Sequence, residues 1–387
     1  MIVLIVLFFI SGLMIFWGMI GYPLFIRLLG KFYISKPEVK NYELKPSVTL
    51  MIVAHNEEKV IKSKLDNALQ LEYPKEKLEI LVTSDYSTDH TNAIVKDFIQ
   101  EHKDRVIRLY EAKKHLGKTN AQNEAQKHVH TDFIVMTDAN SMLDKDAISE
   151  LMSMFSDDDI VYVTGSLRYT NQKNSSSSYA ESSYWDSDMI VRDIEGKIQT
   201  ITAGNGALYA VRNKDYHDFS PIECHDSSMA FYYAMKGKRA INWSTAIAYE
   251  KAGETGKDEF KRKVRMNRLI LKTYMQSLKA LNIFKYRWFS VFYFGHRTCR
   301  YLLWINHVLF LITSFLLARY SKIFYPIVFL QILFYMIALF GWISGSKNKI
   351  VYASGYYLMT ITSQCVALWK AITKQNRSTW EKAESTR

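Results

Sequence analysis

Cysteine is scarce in this chain of 387 residues, and its three copies, Cys224, Cys299 and Cys365, lie in separate regions. Three scattered thiols form neither a disulfide framework nor a cysteine-based metal cluster, as is typical of a cytoplasmic domain. Zinc-finger spacings and RNA-binding aromatic motifs are also missing. The formal net charge of +12 therefore does not indicate nucleic acid.

Charged side chains are absent from residues 2–26. An apolar run of this length crosses the hydrocarbon core of a bilayer, about 30 Å, as one helix. A cleaved signal peptide is the alternative, but no basic stretch precedes the run, the run is too long, and no small-x-small cleavage site follows. Arg27, Lys31 and Lys36 follow the run, so the positive-inside rule predicts that the next domain is cytoplasmic.

Two C-terminal runs, residues 301–317 and 323–345, also lack Asp, Glu, Lys and Arg, and they predict two further spans. Residues 351–369 are a weaker third candidate, since Tyr, Ser, Thr and Gln interrupt the run. Three crossings would leave the tail outside, whereas its basic residues favour the inside. Those residues are Lys370, Lys374, Arg377, Lys382 and Arg387. Either the last segment is re-entrant or interfacial, or the tail lies outside despite its charge.

Many of the basic residues stand just before the C-terminal spans, in residues 257–300. In the later part of this stretch they are interleaved with Leu, Ile, Phe, Trp and Tyr. That pattern predicts helices that lie on an anionic membrane surface, with membrane lipids as partners.

Between the two apolar ends, β-rich runs alternate with amphipathic stretches. The runs at residues 48–54 and 78–84 flank a helical stretch at 60–71, which predicts a βαβ unit. Further strands are predicted at 106–110, 133–137 and 160–164, with helices at 91–102, 118–128 and 146–155. The result is an α/β fold with a mostly parallel sheet and helices on both faces. The polar, Ser-rich residues 171–178 predict a mobile loop.

Short polar motifs stand at strand ends, loops and helix starts, where an open α/β sheet collects its ligands. In chain order they are Ala54-His55-Asn56-Glu57-Glu58, Ser84-Asp85, Gly117-Lys118, Asp138-Ala139-Asn140, Gly204-Asn205-Gly206 and His225-Asp226. Each also has a plainer interpretation. Asn56 and Asp226 could cap helices, Lys118 could be a solvated lysine, and the remaining motifs could be turns.

Two of these motifs suggest chemistry by themselves. Lys118 at a predicted helix start would meet phosphate oxygens together with backbone N–H groups. Asp138 and Asn140 are alternate residues beyond a strand, so their oxygens point the same way and can share one divalent cation.

The order and intervals of the motifs together resemble the family 2 glycosyltransferases, over roughly residues 47–270. The resemblance implies a GT-A type fold and a nucleotide-sugar donor. It assigns His55, Asn56 and Glu57 to the base and ribose of the nucleotide, and Asp85 to a uracil ring.

The resemblance also divides the remaining residues between donor and acceptor. Lys118, Asp138 and Arg265 are assigned to the diphosphate, and Asp138 and Asn140 to Mg²⁺ or Mn²⁺. Gly204, Asn205, Gly206 and His225 fall on the acceptor side. Asp226 is the expected base that deprotonates the acceptor hydroxyl in an inverting transfer.

Four departures from the family pattern stand out. Tyr86 stands where the family usually has glycine, and His225 stands where it has an acid. Asn140 replaces the second acid of the Asp-x-Asp motif, although part of the family carries Asp-Ala-Asn. The Gln and Trp of the Gln-x-x-Arg-Trp motif of cellulose and hyaluronan synthases are missing around residues 260–268.

The predicted organisation has six parts. They are a transmembrane helix at 1–29, a linker at 30–46, a cytoplasmic GT-A domain at 47–275, interfacial helices at 276–300, two or three transmembrane helices at 301–369 and a basic tail at 370–387. We expect a bacterial, multi-pass cell-membrane enzyme that moves a sugar from a nucleotide sugar, a UDP-sugar, to a lipid-linked or membrane-proximal glycan. A role in capsule or exopolysaccharide synthesis is an expectation from the resemblance alone. The alternatives are a processive polysaccharide synthase and an inactive nucleotide-sugar sensor.

Overall fold

The computed structural model describes residues 1–33, 40–171, 176–253, 255–346 and 348–379. Lys36, Lys382 and Arg387 lie outside the described residues. The chain forms two compact units. The sheet unit comprises Tyr33–Asn171, Tyr184–Ala252 and the C-terminal residues from Arg377 on. The helical unit comprises Met1–Phe32, Gln172–Ser183 and Gly253–Asn376.

The sheet unit is built on an eight-stranded sheet. Its strands are β1 Val48–Ala54, β2 Leu78–Ser84, β3 Ile107–Glu111, β4 Phe133–Asp138, β5 Met142–Leu143, β6 Ile160–Tyr169, β7 Leu208–Arg212 and β8 Arg239–Glu250. The order across the sheet is β3-β2-β1-β4-β7-β6-β8-β5. The first four strands of this order are parallel, whereas β7 is antiparallel to both β4 and β6.

The register brings the ends of several strands to one edge. Ala54 of β1 pairs with Ser84 of β2, and Val53 pairs with Asp138 of β4. Because β7 runs antiparallel to β4, the residues before Leu208 enter the sheet from that same edge. The motifs that follow β1, β2 and β4 and the one that precedes β7 therefore share this edge.

Helices make up the rest of the fold. In chain order they are α1 Ile2–Phe16, α2 Tyr22–Phe32, α3 Ile61–Leu69, α4 Thr91–Glu101, α5 Lys118–Gln126, α6 Ala147–Ser153, α7 Ser176–Ile198, α8 His225–Met235, α9 Gly256–Met266, α10 Ile270–Ala280, α11 Ile283–Tyr286, α12 Trp288–Phe292, α13 Cys299–Tyr301, α14 Leu303–Leu317, α15 Phe324–Ser344 and α16 Lys349–Ile372. Short 3₁₀ and π-helical turns lie between some of them.

The sheet is buried on both faces. All seven residues of β1 are buried, which is the pattern of a parallel strand covered from both sides. Alternate residues contribute to two different hydrophobic cores: Leu50 and Ile52 to one, Met51 and Met136 to the other. The predicted α/β fold with helices on both faces is thus confirmed.

Some elements differ from the expectation from sequence. The strands β1 and β2 have the predicted bounds, but α7 and the long strand β8 were not predicted. Of the loop expected at residues 171–178, residues 172–175 lie outside the described part of the chain. Residues 176–178 belong to α7, so the expected loop does not extend over them.

The helical unit contains the apolar ends of the chain. Ile2–Phe32 and Phe324–Ser344 are long and apolar enough to cross a membrane. Trp288–Tyr301 and Leu303–Leu317 form a pair bent by 65° that would be a third span if it crosses as one. The 24-residue α16, which contains the weaker candidate, does not meet that test within the described residues.

Two glycines let α15 and α16 pack backbone to backbone. A Cβ at Gly341 would lie 2.0 Å from the carbonyl oxygen of Val351, and one at Gly355 would lie 2.4 Å from the amide nitrogen of Trp342. No other residue type fits such a contact without moving a helix.

We expect Gly355→Leu to force α15 and α16 apart and to lower stability by about 1–3 kcal/mol, as overpacking does. Thermal unfolding of the full chain in detergent measures the effect. Gly256→Ala is the control, since a Cβ there meets no atom within 4 Å. An unchanged unfolding temperature for Gly355→Leu would contradict the close packing of the two helices.

Candidate active site

The end of β1 is tied to the loop that follows β2. His55 Nδ1 lies 2.7 Å from the carbonyl oxygen of Asp85, and the amide oxygen of Asn56 accepts a bond of 2.7 Å from the backbone N–H of Thr88. The backbone N–H of Glu57 donates to Thr91 Oγ1 at 2.7 Å. Asn56 therefore holds this loop, and it is not the cap of α3, whose N-cap residue is Val60.

Asp85 lies at the bottom of this region and is fully buried. Its carboxylate accepts hydrogen bonds from the backbone N–H groups of Leu116 at 3.2 Å and Gly117 at 3.0 Å. His115 Nδ1 stands 2.8 Å from Asp85 Oδ2. The buried carboxylate is thus held by the turn that leads into α5. The next residue, Tyr86, has φ +58°, which explains why the family usually has glycine there.

His55, Asp85 and His115 offer ligand atoms that all lie within 4.8 Å of one another, so they could in principle hold a metal ion. The two imidazoles, however, stack in parallel with centroids 3.9 Å apart and an angle of 11°. The nitrogen lone pair of imidazole lies in the ring plane, and one ion cannot lie in both parallel planes. Binding by both rings would require one of them to turn.

Lys118, the first residue of α5, forms an ion pair with Asp138 Oδ1 at the end of β4. Burial opposes the charge of Lys118, but the carboxylates of Asp138 and Asp226 outweigh it, and the pKa of Lys118 is raised. Lys118 is therefore a fixed cation at the sheet edge. The interpretation of Lys118 as a solvated lysine does not fit, because its side chain is only 23% exposed.

Gly206 marks the place where three functional groups meet. A Cβ at this position would lie 3.2 Å from Asp226 Oδ2, 3.3 Å from Lys118 Nζ and 3.7 Å from Asp138 Oδ2. Glycine leaves this space open. The expected base, the expected phosphate ligand and the expected metal ligand thus surround one point, although they are far apart in sequence.

The loop before β7 is fixed from within. Asn205 is 2% exposed, and its side-chain oxygen accepts from the backbone N–H of Ala207 at 3.1 Å. The backbone N–H of Gly204 donates to the carbonyl oxygen of Asp226 at 2.9 Å, and Arg192 donates to the carbonyl oxygen of Gly204 at 2.7 Å. The side chain of Asn205 thus shapes this loop, and an acceptor would meet the loop at its glycines.

Asp226 lies in the first turn of α8, whose N-cap residue is Cys224. The alternative that Asp226 caps this helix is therefore not correct. An acid in the first turn is favoured there by the helix dipole.

His225 points away from the cleft. The imidazole is 1% exposed, and its two nitrogens bond Tyr216 Oη and Gln122 Oε1, each at 2.9 Å. Burial, together with the nearby charge of Lys118, lowers the pKa of His225 to about 3. In this position the imidazole offers no surface to an acceptor, so the expected contact could involve only the backbone of His225.

A buried polar network joins α5 to α8 and was not foreseen from the sequence. Thr119 Oγ1 donates to the carbonyl oxygen of Glu223 at 2.5 Å, and Asn123 Nδ2 donates to the carbonyl oxygen of Phe219 at 2.8 Å. Gln122 bonds His225. The Thr-x-x-Gln-Asn spacing behind Lys118 was the available signal, since it places three polar side chains on one face of a helix.

The donor set at the end of β4 fits a hard divalent cation. Asp138 keeps a 33% exposed side chain, and one of its carboxylate oxygens faces the open space at Gly206. Asn140 is half-buried in the same turn and adds an amide oxygen. Carboxylate and amide oxygens are the ligands that Mg²⁺ and Mn²⁺ prefer.

Arg265 belongs to α9 of the helical unit, so its role toward the diphosphate stays a prediction. Its neighbours Arg262 and Lys263 form ion pairs with Glu259 and Glu181 of the same unit. Within that unit α9 is thus fixed by buried charges.

Within the sheet unit, the C-terminal segment lies against the turn that holds Asp85. The carbonyl oxygen of Ser378 lies 2.5 Å from the position that a Cβ of Gly117 would occupy. Gly117 has φ +101°, a conformation that only glycine adopts readily. This contact was not foreseen from the sequence.

The open α/β sheet gathers an ammonium group and two carboxylates at one edge, as expected for a fold of GT-A type. Residues 49–217 match the sequence profile described as glycosyl transferase family 2. The chain is therefore similar to this family over somewhat less than half of its length.

Related proteins agree with this assignment. A probable glycosyltransferase of Bacillus subtilis (strain 168), YdaM, is 34% identical over 175 residues, which are 43% of this chain and 41% of that protein. A poly-beta-1,6-N-acetyl-D-glucosamine synthase of Staphylococcus aureus (strain COL) is 30% identical over 141 residues, 36% of this chain and 33% of the synthase. The chain thus spans less than half the length of these relatives.

A solved structure has the same fold. It is the mannosyltransferase PcManGT from Pyrobaculum calidifontis in complex with GDP-Man and Mn²⁺, with a TM-score of 0.73. The match covers 95% of this chain and 99% of that one at 21% identity. At this identity the likeness concerns the fold.

The buried neutral His225 makes stability depend on pH. Its folded-state pKa of about 3 lies below the ordinary value of 6.5, so between these values the unfolded chain binds more protons. The contribution of neutral His225 to the free energy of unfolding is therefore fully present above pH 6.5 and is lost as the pH falls. We expect a loss of about 2–3 kcal/mol from this group between pH 6.5 and 4.5.

Chemical denaturation at a series of pH values measures this loss. His225→Gln should lower stability at pH 7 and flatten the acid branch of the curve. His130→Gln, at an exposed histidine, should leave the curve unchanged. Equal acid slopes for the wild type and His225→Gln would show that His225 is not the group responsible.

Proposed function

We propose that this protein is a membrane-anchored inverting glycosyltransferase. It moves a sugar from a nucleotide sugar, with UDP as the expected nucleotide, to a lipid-linked or membrane-proximal glycan. The proposed setting is the synthesis of capsule, exopolysaccharide or another cell-envelope polysaccharide in a bacterium. The main observation in support of this proposal is that Asp226, Lys118 and Asp138 come close together at Gly206.

The proposed mechanism follows from the charges of these groups. Inverting transfer needs a carboxylate that takes the proton of the acceptor hydroxyl while the hydroxyl attacks the anomeric carbon from the face opposite the nucleotide. Asp226 has this role, and the ammonium of Lys118 lies close enough to interact with its negative charge. The ammonium of Lys118 also lies where it can bind the diphosphate as negative charge develops on the leaving group.

The nucleotide end of the cleft is assigned to the region of His55, Asn56, Glu57 and Asp85. Asp85 is held by two backbone N–H groups in a fixed orientation, which suits an acceptor of hydrogen bonds from a base. A divalent cation held by Asp138 and Asn140 would, when bound, supply charge neutralisation for the diphosphate.

The acceptor assignment depends on the membrane ends. The apolar helices Ile2–Phe32 and Phe324–Ser344 support a membrane anchor. On α10, Leu271, Met275 and Leu278 are exposed apolar side chains at helical spacing, next to the basic Lys272 and Lys279. Such a face suits the headgroup region of an anionic membrane, where a lipid-linked acceptor is found.

The second candidate is a processive polysaccharide synthase. It is favoured by the similarity of the domain to the poly-beta-1,6-N-acetyl-D-glucosamine synthase. The missing Gln and Trp around residues 260–268 and the small number of candidate spans favour single addition. The length of the product made from a labelled donor separates the two functions.

The principal experiment measures nucleotide release by the purified full chain in lipid nanodiscs. UDP-, GDP- and TDP-sugars are screened with Mn²⁺ or Mg²⁺ and a bacterial lipid extract. We expect release from one donor class, dependent on the metal and on the lipid extract. Asp226→Asn should reduce the rate at least about 100-fold, the low end for losing a general base, with donor binding retained. Asp138→Ala should weaken metal and donor binding.

Asp97→Asn is the matched control, since it makes the same change at an exposed carboxylate on α4. It should behave as the wild type. Donor binding without release in any lipid extract, unchanged in Asp226→Asn, would instead support an inactive nucleotide-sugar sensor.

The contact of Ser378 with Gly117 is relevant to the side of the membrane on which the C-terminal tail lies. Three crossings would place the tail outside, whereas its basic residues favour the inside. Because residues 377–379 belong to the sheet unit, we propose that this part of the tail lies on the same side of the membrane as the catalytic domain. An even number of crossings then separates Gly253 from Asn376. The polar-interrupted α16 would lie at the interface, while α15 and the bent pair cross.

We expect Arg377→Cys, in a background with the three native cysteines replaced by serine, to react with a membrane-impermeant maleimide only in inside-out vesicles. Asp97→Cys reports the side of the catalytic domain and should behave identically. Labelling of the two cysteines from opposite sides would contradict the proposed topology.

A further inference from the structure

Lys64 is a lysine in the interior of the sheet unit. It lies in the middle of α3 and is 0% exposed. Lysine is almost never fully buried without partners, because removing its charge from water costs several kcal/mol. Burial lowers the pKa of Lys64 to about 7, against the opposing influence of Asp138 and Glu250. Packing alone does not explain why the fold buries a lysine at such a cost in free energy.

Both hydrogen bonds of Lys64 go to residues at the two ends of the turn that contains Asp138 and Asn140. Its ammonium donates to Thr137 Oγ1 at 3.0 Å and to the carbonyl oxygen of Ser141. Between these two residues lie Asp138 and Asn140, the expected metal ligands. The backbone N–H of Ser141 closes the turn on the carbonyl oxygen of Asp138 at 3.1 Å.

The same contacts reach the neighbouring parts of the site. Thr137 Oγ1 donates onward to the carbonyl oxygen of Ala207 at 2.8 Å, which is the end of the Gly204–Gly206 loop. Ser141 Oγ donates to the carboxylate of Glu250 at the end of β8. Lys64 is thus connected, through Thr137 and Ser141, to the start of β7 and the end of β8.

The contacts of Lys64 can be compared with those of a neighbouring polar residue on the same helix, Asn67. Asn67, one helical turn further along α3, bonds both backbone groups of Leu143: its oxygen accepts at 2.8 Å and its nitrogen donates at 2.9 Å. Asn67 holds β5 without touching the turn that contains Asp138. Asn67 and Lys64 therefore share a helix face but differ in what they hold.

We propose that Lys64 is a positioning residue that fixes the Asp138–Ser141 turn from below, so that the oxygens of Asp138 and Asn140 are oriented to hold a divalent cation and the donor diphosphate. The proposal rests on the proposed function only in assigning these two residues to the cation. Residues that orient metal ligands typically account for a 10–100-fold effect on metal affinity.

The test measures Mn²⁺ binding to the purified full chain in detergent by electron paramagnetic resonance, without donor or turnover. Lys64→Met keeps the volume and removes the ammonium. We expect about 10–100-fold weaker Mn²⁺ binding. The unfolding temperature should be unchanged or higher, since a buried charge is lost. In the transfer assay the KM for the donor should rise more than kcat falls.

Asn67→Ala is the matched control for a purely structural role. It should lower the unfolding temperature and leave the Mn²⁺ affinity of the folded protein unchanged. If Lys64→Met fails to fold, Thr137→Val removes one of the two anchors of Lys64 at similar volume. That variant should still weaken Mn²⁺ binding.

Wild-type Mn²⁺ affinity in folded Lys64→Met, or in Thr137→Val, would overturn the inference. Absence of Mn²⁺ binding by the wild type would overturn it as well. By contrast, a wild type that binds Mn²⁺ but releases no nucleotide would count against the proposed function and leave the positioning role of Lys64 intact.

Discussion

The sheet brings several carboxylates to one edge, and the candidate site depends on the N–H groups and the ammonium group that compensate their negative charge. Asp85, Asp138 and Asp226 would repel one another if they met without partners, and burial would raise the cost. Each is compensated differently: Asp85 by the backbone N–H groups of the turn before α5, Asp138 by the ammonium of Lys118, and Asp226 by the same ammonium and the start of α8. The folded sheet edge can thus hold three carboxylates without being destabilised by their mutual repulsion.

This compensation is possible because of the sheet topology. The parallel strands β1, β2 and β4 end together, and the antiparallel β7 begins where they end. The loop before β7 therefore passes over the ends of the other strands, and glycine at 206 keeps the charged atoms within reach of one point. A side chain at this position would crowd the Asp226 carboxylate and the Lys118 ammonium.

Buried polar side chains stiffen this edge from behind. The bonds from Gln122 to His225 and from Thr119 to Glu223 fix α8 on α5, and Lys64 fixes the turn after β4. Preorganised groups of this kind are effective in catalysis because they need no reorganisation when charge develops. The site thus combines a few partly exposed charged groups with a larger set of buried polar contacts.

Much of the fold and of the motif set followed from the sequence alone. Apolar runs separated by amphipathic stretches predicted β1, β2 and the helices between them, since these are local patterns with a fixed period. The residues Asp85, Lys118, Asp138 and Asp226 were recognised from their order. Only the tertiary structure decided that His225 faces the core, that Lys64 lies beneath the Asp138–Ser141 turn and that Ser378 contacts Gly117. These contacts join residues that are 9 to more than 200 positions apart, and no local pattern records which distant group a polar side chain will meet.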